Sequence, residues 1–272
     1  MVAELATPVR AGGHVPHPAR SVLLVVEGLW TWYRRNWRAT VVSSVLQPVL
    51  YLLALGLGFG SQVQPSTATE GLRYVVYLAP ALLVAAAVQN AAFESTYPVF
   101  SAFKWQKTYQ GVTATPTTPG QLMAGQLLWI TIRLFGSGAA YLVVAAVFGA
   151  VTSPWVGVSL LFAVLTGMAL SAPVVAYSAW ADNEKGFNTL FRFILLPMWL
   201  LGGTFFPVSQ LPVWVRPLAW LTPVWHGTEL ARGAAFGTLT VLPTLGHVAY
   251  LLVLLVAGVA VARWRFRVRL AG

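Results

Sequence analysis

The 272-residue sequence contains no cysteine and few charged residues. Without cysteine the chain can form neither a disulfide nor a thiolate metal site, and it has no thiol nucleophile. Charged residues make up 9% of the sequence, whereas an average soluble domain carries roughly 25%. So little charge cannot cover a surface that faces water, and 57% of the residues are hydrophobic. The composition therefore predicts an integral membrane protein.

The motifs of common hydrolytic and nucleotide-binding enzymes are also missing. The sequence has no H-E-x-x-H, no G-x-S-x-G and no G-x-x-x-x-G-K-[ST]. His226 and Glu229 are three residues apart, as metal ligands on one helix can be, but two ligands do not make a site. Asp182 and Glu184 form a short acidic turn that is typical of a solvated loop. We therefore expect no enzyme chemistry, no metal site and no cofactor in this chain.

Six apolar runs are long enough to cross the hydrocarbon core of a membrane, which takes roughly 20 residues per helix. The runs are 39–58, 74–92, 128–148, 156–180, 189–206 and 241–262. The predicted fold is therefore an all-α integral membrane protein with six transmembrane helices. Residues 1–20 contain three prolines and no apolar run, so we expect a flexible tail there, followed by one membrane domain over 21–272.

The basic residues predict the orientation, because cytoplasmic loops are enriched in lysine and arginine. With six spans both termini lie on one side, and that side holds 14 of the 17 basic residues. These 14 are Arg10, Arg20, Arg34, Arg35, Arg38, Lys104, Lys107, Arg133, Lys185, Arg192, Arg263, Arg265, Arg267 and Arg269. We therefore expect both termini, the tail included, to be cytoplasmic. The net charge of +10 is then explained by orientation and lipid contact rather than by nucleic-acid binding.

Two further segments are expected at the membrane surfaces. Residues 22–37 have an apolar face at helical spacing and an opposite face with Glu27, Arg34 and Arg35, which predicts an N-terminal interfacial helix in the membrane plane. Residues 207–240 are apolar but are interrupted by four prolines, so no single helix can cross there. We expect a pair of short re-entrant or interfacial helices on the outer side.

The insert over 93–120, between the second and third spans, combines charge with aromatic side chains. Its polar residues include Glu94, Lys104, Gln106 and Lys107, and its aromatic residues are Phe93, Tyr97, Phe100, Phe103, Trp105 and Tyr109. The charges exclude the hydrocarbon core, and the aromatic residues are unusual for a solvated loop. A docking surface for a soluble partner and an interfacial loop on lipid headgroups both fit this pattern.

Polar residues inside the spans leave alternatives open. Arg133 and Arg192 lie near the ends of the third and fifth runs, where each can either snorkel to the headgroups or make a polar contact in the translocation path or at a subunit interface. Gln89 and Asn90 in the second run fit either hydrogen bonds between helices or contacts with a substrate.

Three stretches carry a family resemblance. They are FESTYPVFSAFKWQKTYQGVTATP, NEKGFNTLFRFILLPMWLLGGTFFPVSQLPVW and LAWLTPVWHGTELARG. They resemble the coupling segment, the fifth span with its outer extension and the stretch before the last span of type-2 ABC exporter membrane subunits. Within that family the likeness is to the group around nodulation protein J and the daunorubicin-resistance permeases. It covers about residues 22–270, and the proline-rich start has no counterpart in it.

The resemblance implies a half-transporter that pairs with a second permease copy, either identical or a close paralogue. It also implies a separate nucleotide-binding ATPase subunit that holds ATP and Mg²⁺. Matched by position, the family's coupling helix falls on 94–109, its connecting helix on 22–37 and its outer re-entrant pair on 207–233. The residues implied to couple to the ATPase are Glu94, Ser95, Thr96, Phe103, Lys104, Trp105 and Lys107. Those implied to line the translocation path are Gln89, Asn90, Phe191, Leu195, Trp199, Phe205 and Phe206.

The implied function is export from the cytoplasm of a lipid-like or amphiphilic substrate, such as a drug, a glycolipid or a lipo-oligosaccharide. A path with few charges suits such a molecule better than an ion. The alternative is a secondary transporter or channel without an ATPase, which would need intramembrane acidic residues and an internal repeat. A membrane-embedded transferase would need clustered polar catalytic groups. The expected location is the cell membrane, with its lipids as further partners.

Overall fold

The computed structural model describes residues 17–65, 69, 71–151 and 153–270, with the side chains of 39–45 excepted. In this part of the chain all regular structure is helical. The α-helices in chain order are α1 Pro18–Tyr51, α2 Tyr74–Ser95, α3 Tyr97–Lys104, α4 Thr108–Thr113, α5 Pro119–Val147, α6 Val156–Trp180, α7 Lys185–Thr189, α8 Leu196–Leu201, α9 Arg216–Trp220, α10 Pro223–Phe236 and α11 Val241–Leu270. Residues 1–16 of the predicted tail lie outside the described residues. The last three residues of the tail, from Pro18 on, are already helical.

Within the described ranges, four segments are long and apolar enough to cross a membrane: Tyr74–Lys104, which contains α2 and α3, and the helices α5, α6 and α11. These correspond to the second, third, fourth and sixth predicted spans. Helix α6 has the predicted bounds, and α2 and α11 begin where predicted. Helix α5 begins earlier than predicted, at Pro119, because Thr118 and Gln121 form a capping box that stabilises a start before the apolar run.

The first and fifth predicted spans are helical but irregular. Helix α1 is followed directly by a π-helical segment, Leu52–Gly58. Residues 22–58 are therefore helical without interruption. The boundary predicted near Arg38, between an interfacial helix and the first span, is therefore not a helix end. The fifth run consists of α7, a π-helical segment Leu190–Leu195 and α8. Six spans remain a proposal, since these two do not meet the criterion of a long, regular, apolar helix.

Helix α2 lies at the centre, buried by α5, α6 and α10 along most of its length. Close approach is possible where small residues replace bulky ones. A Cβ on Gly167 of α6 would lie 3.1 Å from the carbonyl oxygen of Ala87 on α2, and one on Gly125 of α5 would lie 2.6 Å from Val25 Cβ on α1. The close approach at Gly167 packs α2 tightly against α6.

The segment after α8 forms two short helices, α9 and α10, as the proline pattern predicted. Helix α10 packs closely on α6, because Gly227 has no side chain and a Cβ there would overlap Thr166. Tyr250, which lies well inside α11, donates a hydrogen bond to the carbonyl oxygen of Leu221 between α9 and α10. The turn between the two short helices is therefore level with the interior of α6 and α11 rather than with their ends.

Candidate coupling surface and translocation path

The insert after α2 folds into the two short helices α3 and α4, joined by a tight turn. Pro98 occupies the first turn of α3, where a missing backbone N–H costs nothing. The turn ends at Lys107, whose φ of 53° is in the left-handed region. This geometry leaves Lys104, Trp105 and Lys107 exposed. We call residues 104–108 the tip.

A buried aromatic cluster supports the tip from beneath. The ring of Phe103 lies 4.8 Å from that of Tyr109 and 4.9 Å from that of Phe266 on α11. Tyr109 also donates a hydrogen bond of 3.1 Å to Gln126 Oε1 on α5. Phe103 is only 2% exposed, so the expectation that it forms part of an exposed docking face is wrong. Phe103 instead packs between the insert and α11.

The tip is also tied to the neighbouring turn between α6 and α7. Lys104 Nζ donates a hydrogen bond of 3.0 Å to Asp182 Oδ1. This hydrogen bond and the lysine charge hold the pKa of the exposed Asp182 carboxyl below its usual value. The contact is therefore present at neutral pH and is lost as the pH falls through that lowered pKa. Trp105 is 58% exposed and makes an edge contact of 5.2 Å with Phe100.

Glu94 does not lie on the exposed surface. Its carboxylate is 2.7 Å from Arg133 on α5, and its side chain is only 18% exposed. The guanidinium of Arg133 lies 4.4 Å from the centre of the Tyr33 ring on α1. The expectation that Glu94 is exposed to a partner is therefore wrong. Arg133 lines neither of the cavities described below, and its ion pair with Glu94 lies within one chain.

Ser95 and Thr96 are likewise buried rather than exposed. Ser95 Oγ lies 2.7 Å from Ser171 Oγ, and Ser178 donates a hydrogen bond to the Ser95 carbonyl oxygen. Thr96 donates a hydrogen bond back to the Ala92 carbonyl oxygen. These bonds fix the end of α2 on α6 at the point where the chain enters the insert. Both residues can act on a partner only by positioning the tip.

Two neighbouring cavities lie between the end of α1, helix α2 and the fifth run. Their volumes are about 610 Å³ and about 160 Å³, and Tyr51 and Trp199 line both. Six of the seven residues predicted for the path line one or the other: Gln89, Phe191, Leu195, Trp199, Phe205 and Phe206. Residues predicted from two separate stretches of sequence are thus brought to one continuous surface.

Asn90 is the exception among the predicted path residues. Its amide donates a hydrogen bond of 3.3 Å to Ser137 Oγ on α5, so it serves helix packing. Arg192 also lies outside both cavities, and its side chain is exposed. The lining of the two cavities is aromatic and aliphatic, and the rings of Trp199 and Phe205 are 4.8 Å apart.

Sequence reasoning missed three tyrosines of the larger cavity, Tyr51, Tyr74 and Tyr77. Tyr74 donates a hydrogen bond of 3.0 Å to the Phe205 carbonyl oxygen and so joins α2 to the end of the fifth run. The sequence contains one indication of this arrangement, because the three-residue spacing of Tyr74 and Tyr77 places both on one face of a helix. That spacing is equally typical of a core residue pair, and the sequence does not distinguish the two.

His226 and His247 form a pair rather than part of a metal cluster. His226 Nδ1 lies 2.8 Å from His247 Nδ1, and His226 Nε2 donates a hydrogen bond to the Trp220 carbonyl oxygen. Within the described ranges no three metal-ligating side chains converge.

These features define a class of protein: a multi-pass helical membrane protein with apolar cavities along one helix and an exposed tip beyond its end. The chain matches the ABC-2 type transporter family over residues 20–236, and it belongs to that family. It is therefore the membrane component of an ABC transporter.

The relatives agree with this assignment. The chain is 32% identical to nodulation protein J of Sinorhizobium fredii over 215 residues, which are 75% of this chain and 81% of the relative. It is 29% identical to nodulation protein J of Rhizobium meliloti over 77% of this chain and 82% of the relative. It is 24% identical to the inner membrane transport permease YadH of Escherichia coli over 71% of this chain and 73% of the relative. The predicted likeness to type-2 ABC permeases of the nodulation protein J group is confirmed.

Proposed function

We propose that two copies of this chain form the membrane path of an exporter driven by a separate ATPase subunit that docks on the tip. The observation that carries the proposal is the placement of both surfaces along α2. Tyr74, Tyr77 and Gln89 of this helix line the cavities, and the insert that carries the tip follows directly after it. A movement of the tip would therefore reach the path through α2.

The proposed topology has six spans, cytoplasmic termini and an outer re-entrant pair formed by α9 and α10. The distribution of basic residues supports this orientation. The contacts of Gly227 with Thr166 and of Leu221 with Tyr250 support re-entry, since both place the pair level with the interior of long apolar helices. Non-spanning backbone at that depth is tolerated where protein surrounds it, as it does α10. The location that follows is the inner or plasma membrane.

The proposed substrate is lipid-like or amphiphilic: a hydrophobic drug, a glycolipid or a lipo-oligosaccharide. The larger cavity has an aromatic and aliphatic lining, with Gln210 and Thr69 as its non-aromatic polar contributors. Such a surface accepts an apolar chain without trapping it by charge. Phe205 and Phe206 lie where the fifth run ends, and we propose that they close the path toward the outside together with the same residues of the second copy.

Replacing Trp105 by alanine tests the docking of the ATPase. A single exposed tryptophan at the centre of an interface contributes about 2 kcal/mol or more, so affinity should fall roughly 30-fold. The measurement is the concentration of a candidate phosphate-loop ATPase subunit that gives half-maximal permease-stimulated ATP hydrolysis in nanodiscs. Trp214→Ala is the matched control, because Trp214 is 77% exposed but lies in the outer segment.

If the ATPase docks on the tip, the two variants should differ in the half-maximal ATPase concentration. Trp105→Ala should raise the half-maximal concentration while Trp214→Ala leaves it unchanged. If neither variant changes the stimulation, the insert is an interfacial loop on lipid and the ATPase docks elsewhere.

A further inference from the structure

A second apolar groove lies between α6 and α11, away from the path. Its volume is about 370 Å³, and Pro173, Tyr177, Leu254 and Ala257 form its apolar walls. None of its lining residues lines either path cavity. Both helices that form it are long and apolar enough to cross a membrane.

Helices α6 and α11 pack extensively on each other, and the groove lies along one side of their contact. Gly258 of α11 packs directly on Pro173 of α6, where a Cβ would lie 2.5 Å from the proline Cδ. Beside this contact the small side chains of Ala176 and Ala257 leave space between the bulkier Leu254 and Tyr177. From Leu254 to Arg265 the groove runs about 16 Å along α11, at the helical rise of about 1.5 Å per residue.

One end of the groove carries positive charge and aromatic rings. The guanidinium of Arg265 lies 5.8 Å from the Trp180 ring and 4.2 Å from the Trp264 ring. Among the residues that the structure describes, no carboxylate lies within ion-pair distance of Arg265. Tryptophan with arginine at the end of a membrane helix is typical of the headgroup level. Basic pockets between membrane helices attract acidic headgroups.

We propose that this groove binds an anionic phospholipid, with one acyl chain along Tyr177, Leu254 and Ala257 and the headgroup phosphate on Arg265. The charge at the mouth selects an acidic headgroup, and the apolar walls accept a chain. The lipid would pack beside the contact between α6 and α11 and stabilise the pair of helices opposite the path. This site is distinct from the substrate path and needs neither ATP nor the ATPase.

Native mass spectrometry of the purified chain tests the site, since it reports bound lipid and oligomeric state together. The probes are dioleoyl phosphatidylglycerol and dioleoyl phosphatidylcholine, which share acyl chains and differ in headgroup charge. Arg265→Gln should lower retention of phosphatidylglycerol about five-fold, the equivalent of about 1 kcal/mol per basic residue near a charged lipid. Ala257→Phe, which fills the groove, should lower the retention of both lipids.

Arg267→Gln is the matched control, because Arg267 is exposed on the same helix but does not line the groove. It should leave retention unchanged. Equal retention of the two lipids by the unaltered chain, or an equal loss in Arg265→Gln and Arg267→Gln, would overturn the proposal in favour of unspecific surface charge. Loss of dimers in Ala257→Phe with unchanged lipid retention would overturn it in favour of a second copy of the chain in the groove.

Discussion

Among the single residues, Glu94 and Arg133 connect three helices at the C-terminal end of α2. Their ion pair, 2.7 Å long, links α2 to α5, and Tyr33 of α1 lies against the guanidinium. Both charges are largely removed from water, so each is tolerated only because the other is present. The pair therefore fixes the position of the last turn of α2, from which the insert begins.

Removing one partner of this ion pair should destabilise the protein strongly. Glu94→Ala leaves the Arg133 charge buried without its carboxylate, and breaking a buried ion pair in this way costs about 3–5 kcal/mol. The exchanged pair Glu94→Arg with Arg133→Glu should recover part of the loss, because it restores opposite charges. The measurement is thermal unfolding in detergent.

Lys104→Ala provides the comparison for this prediction. It breaks the ion pair with Asp182, whose partners are exposed to water, and exposed pairs contribute little to stability. We expect its unfolding temperature to stay unchanged. A Glu94→Ala variant as stable as Lys104→Ala would show that the pair between α2 and α5 does not hold the helices together.

Among the elements, the insert has one buried side, which packs against the rest of the chain, and one side that is exposed. Phe103 is enclosed by Tyr109 and Phe266, whereas Trp105 projects outward. The two aromatic residues are two positions apart in sequence and have opposite environments. A change at one should therefore affect stability, and a change at the other should affect docking.

Phe103→Ala should destabilise the chain by about 3–5 kcal/mol, because it opens a cavity beneath the tip. Trp105→Ala should not change stability, since its ring is exposed. Unfolding temperatures of the two variants in the same detergent check this contrast. Equal destabilisation by both would mean that the tip is packed against the rest of the molecule rather than presented.

The insert also shows how far the sequence predicts the site. Its existence and polarity could be predicted, because charges between two apolar runs exclude the hydrocarbon core. The burial of Glu94 and Phe103 could not, since it depends on Arg133 and Phe266, which are distant in sequence. The path residues Phe191, Leu195 and Trp199 came from a resemblance rather than from spacing. The long regular helices were predictable from hydropathy, but the π-helical segments were not, because they depend on local packing.

For the whole molecule, orientation is the property on which the proposed function depends. The tip must lie in the cytoplasm to meet an ATPase, and the segment between α8 and α11 must lie outside. The absence of native cysteine makes this directly measurable. Val213 is a better outer probe than Arg216, because Arg216 donates hydrogen bonds to the Ser209 and Leu211 carbonyl oxygens.

Single cysteines at Lys107, Arg267 and Val213 should report the two sides. We expect Val213→Cys to react with a membrane-impermeant maleimide in intact cells, and Lys107→Cys and Arg267→Cys to react only after permeabilisation. All three positions are exposed, so access to the reagent depends on the side of the membrane. Reaction of Lys107→Cys in intact cells would contradict the orientation.

The central claim, that this chain is the path of an ATP-driven exporter, is tested by transport into inside-out proteoliposomes. The vesicles contain the chain and its phosphate-loop ATPase, and a fluorescent lipid-like amphiphile is supplied outside. For an ATP-driven exporter we expect uptake that requires ATP, stops with a hydrolysis-deficient ATPase and persists when ion gradients are collapsed. Uptake driven by an ion gradient without the ATPase would show instead that the chain is a secondary transporter.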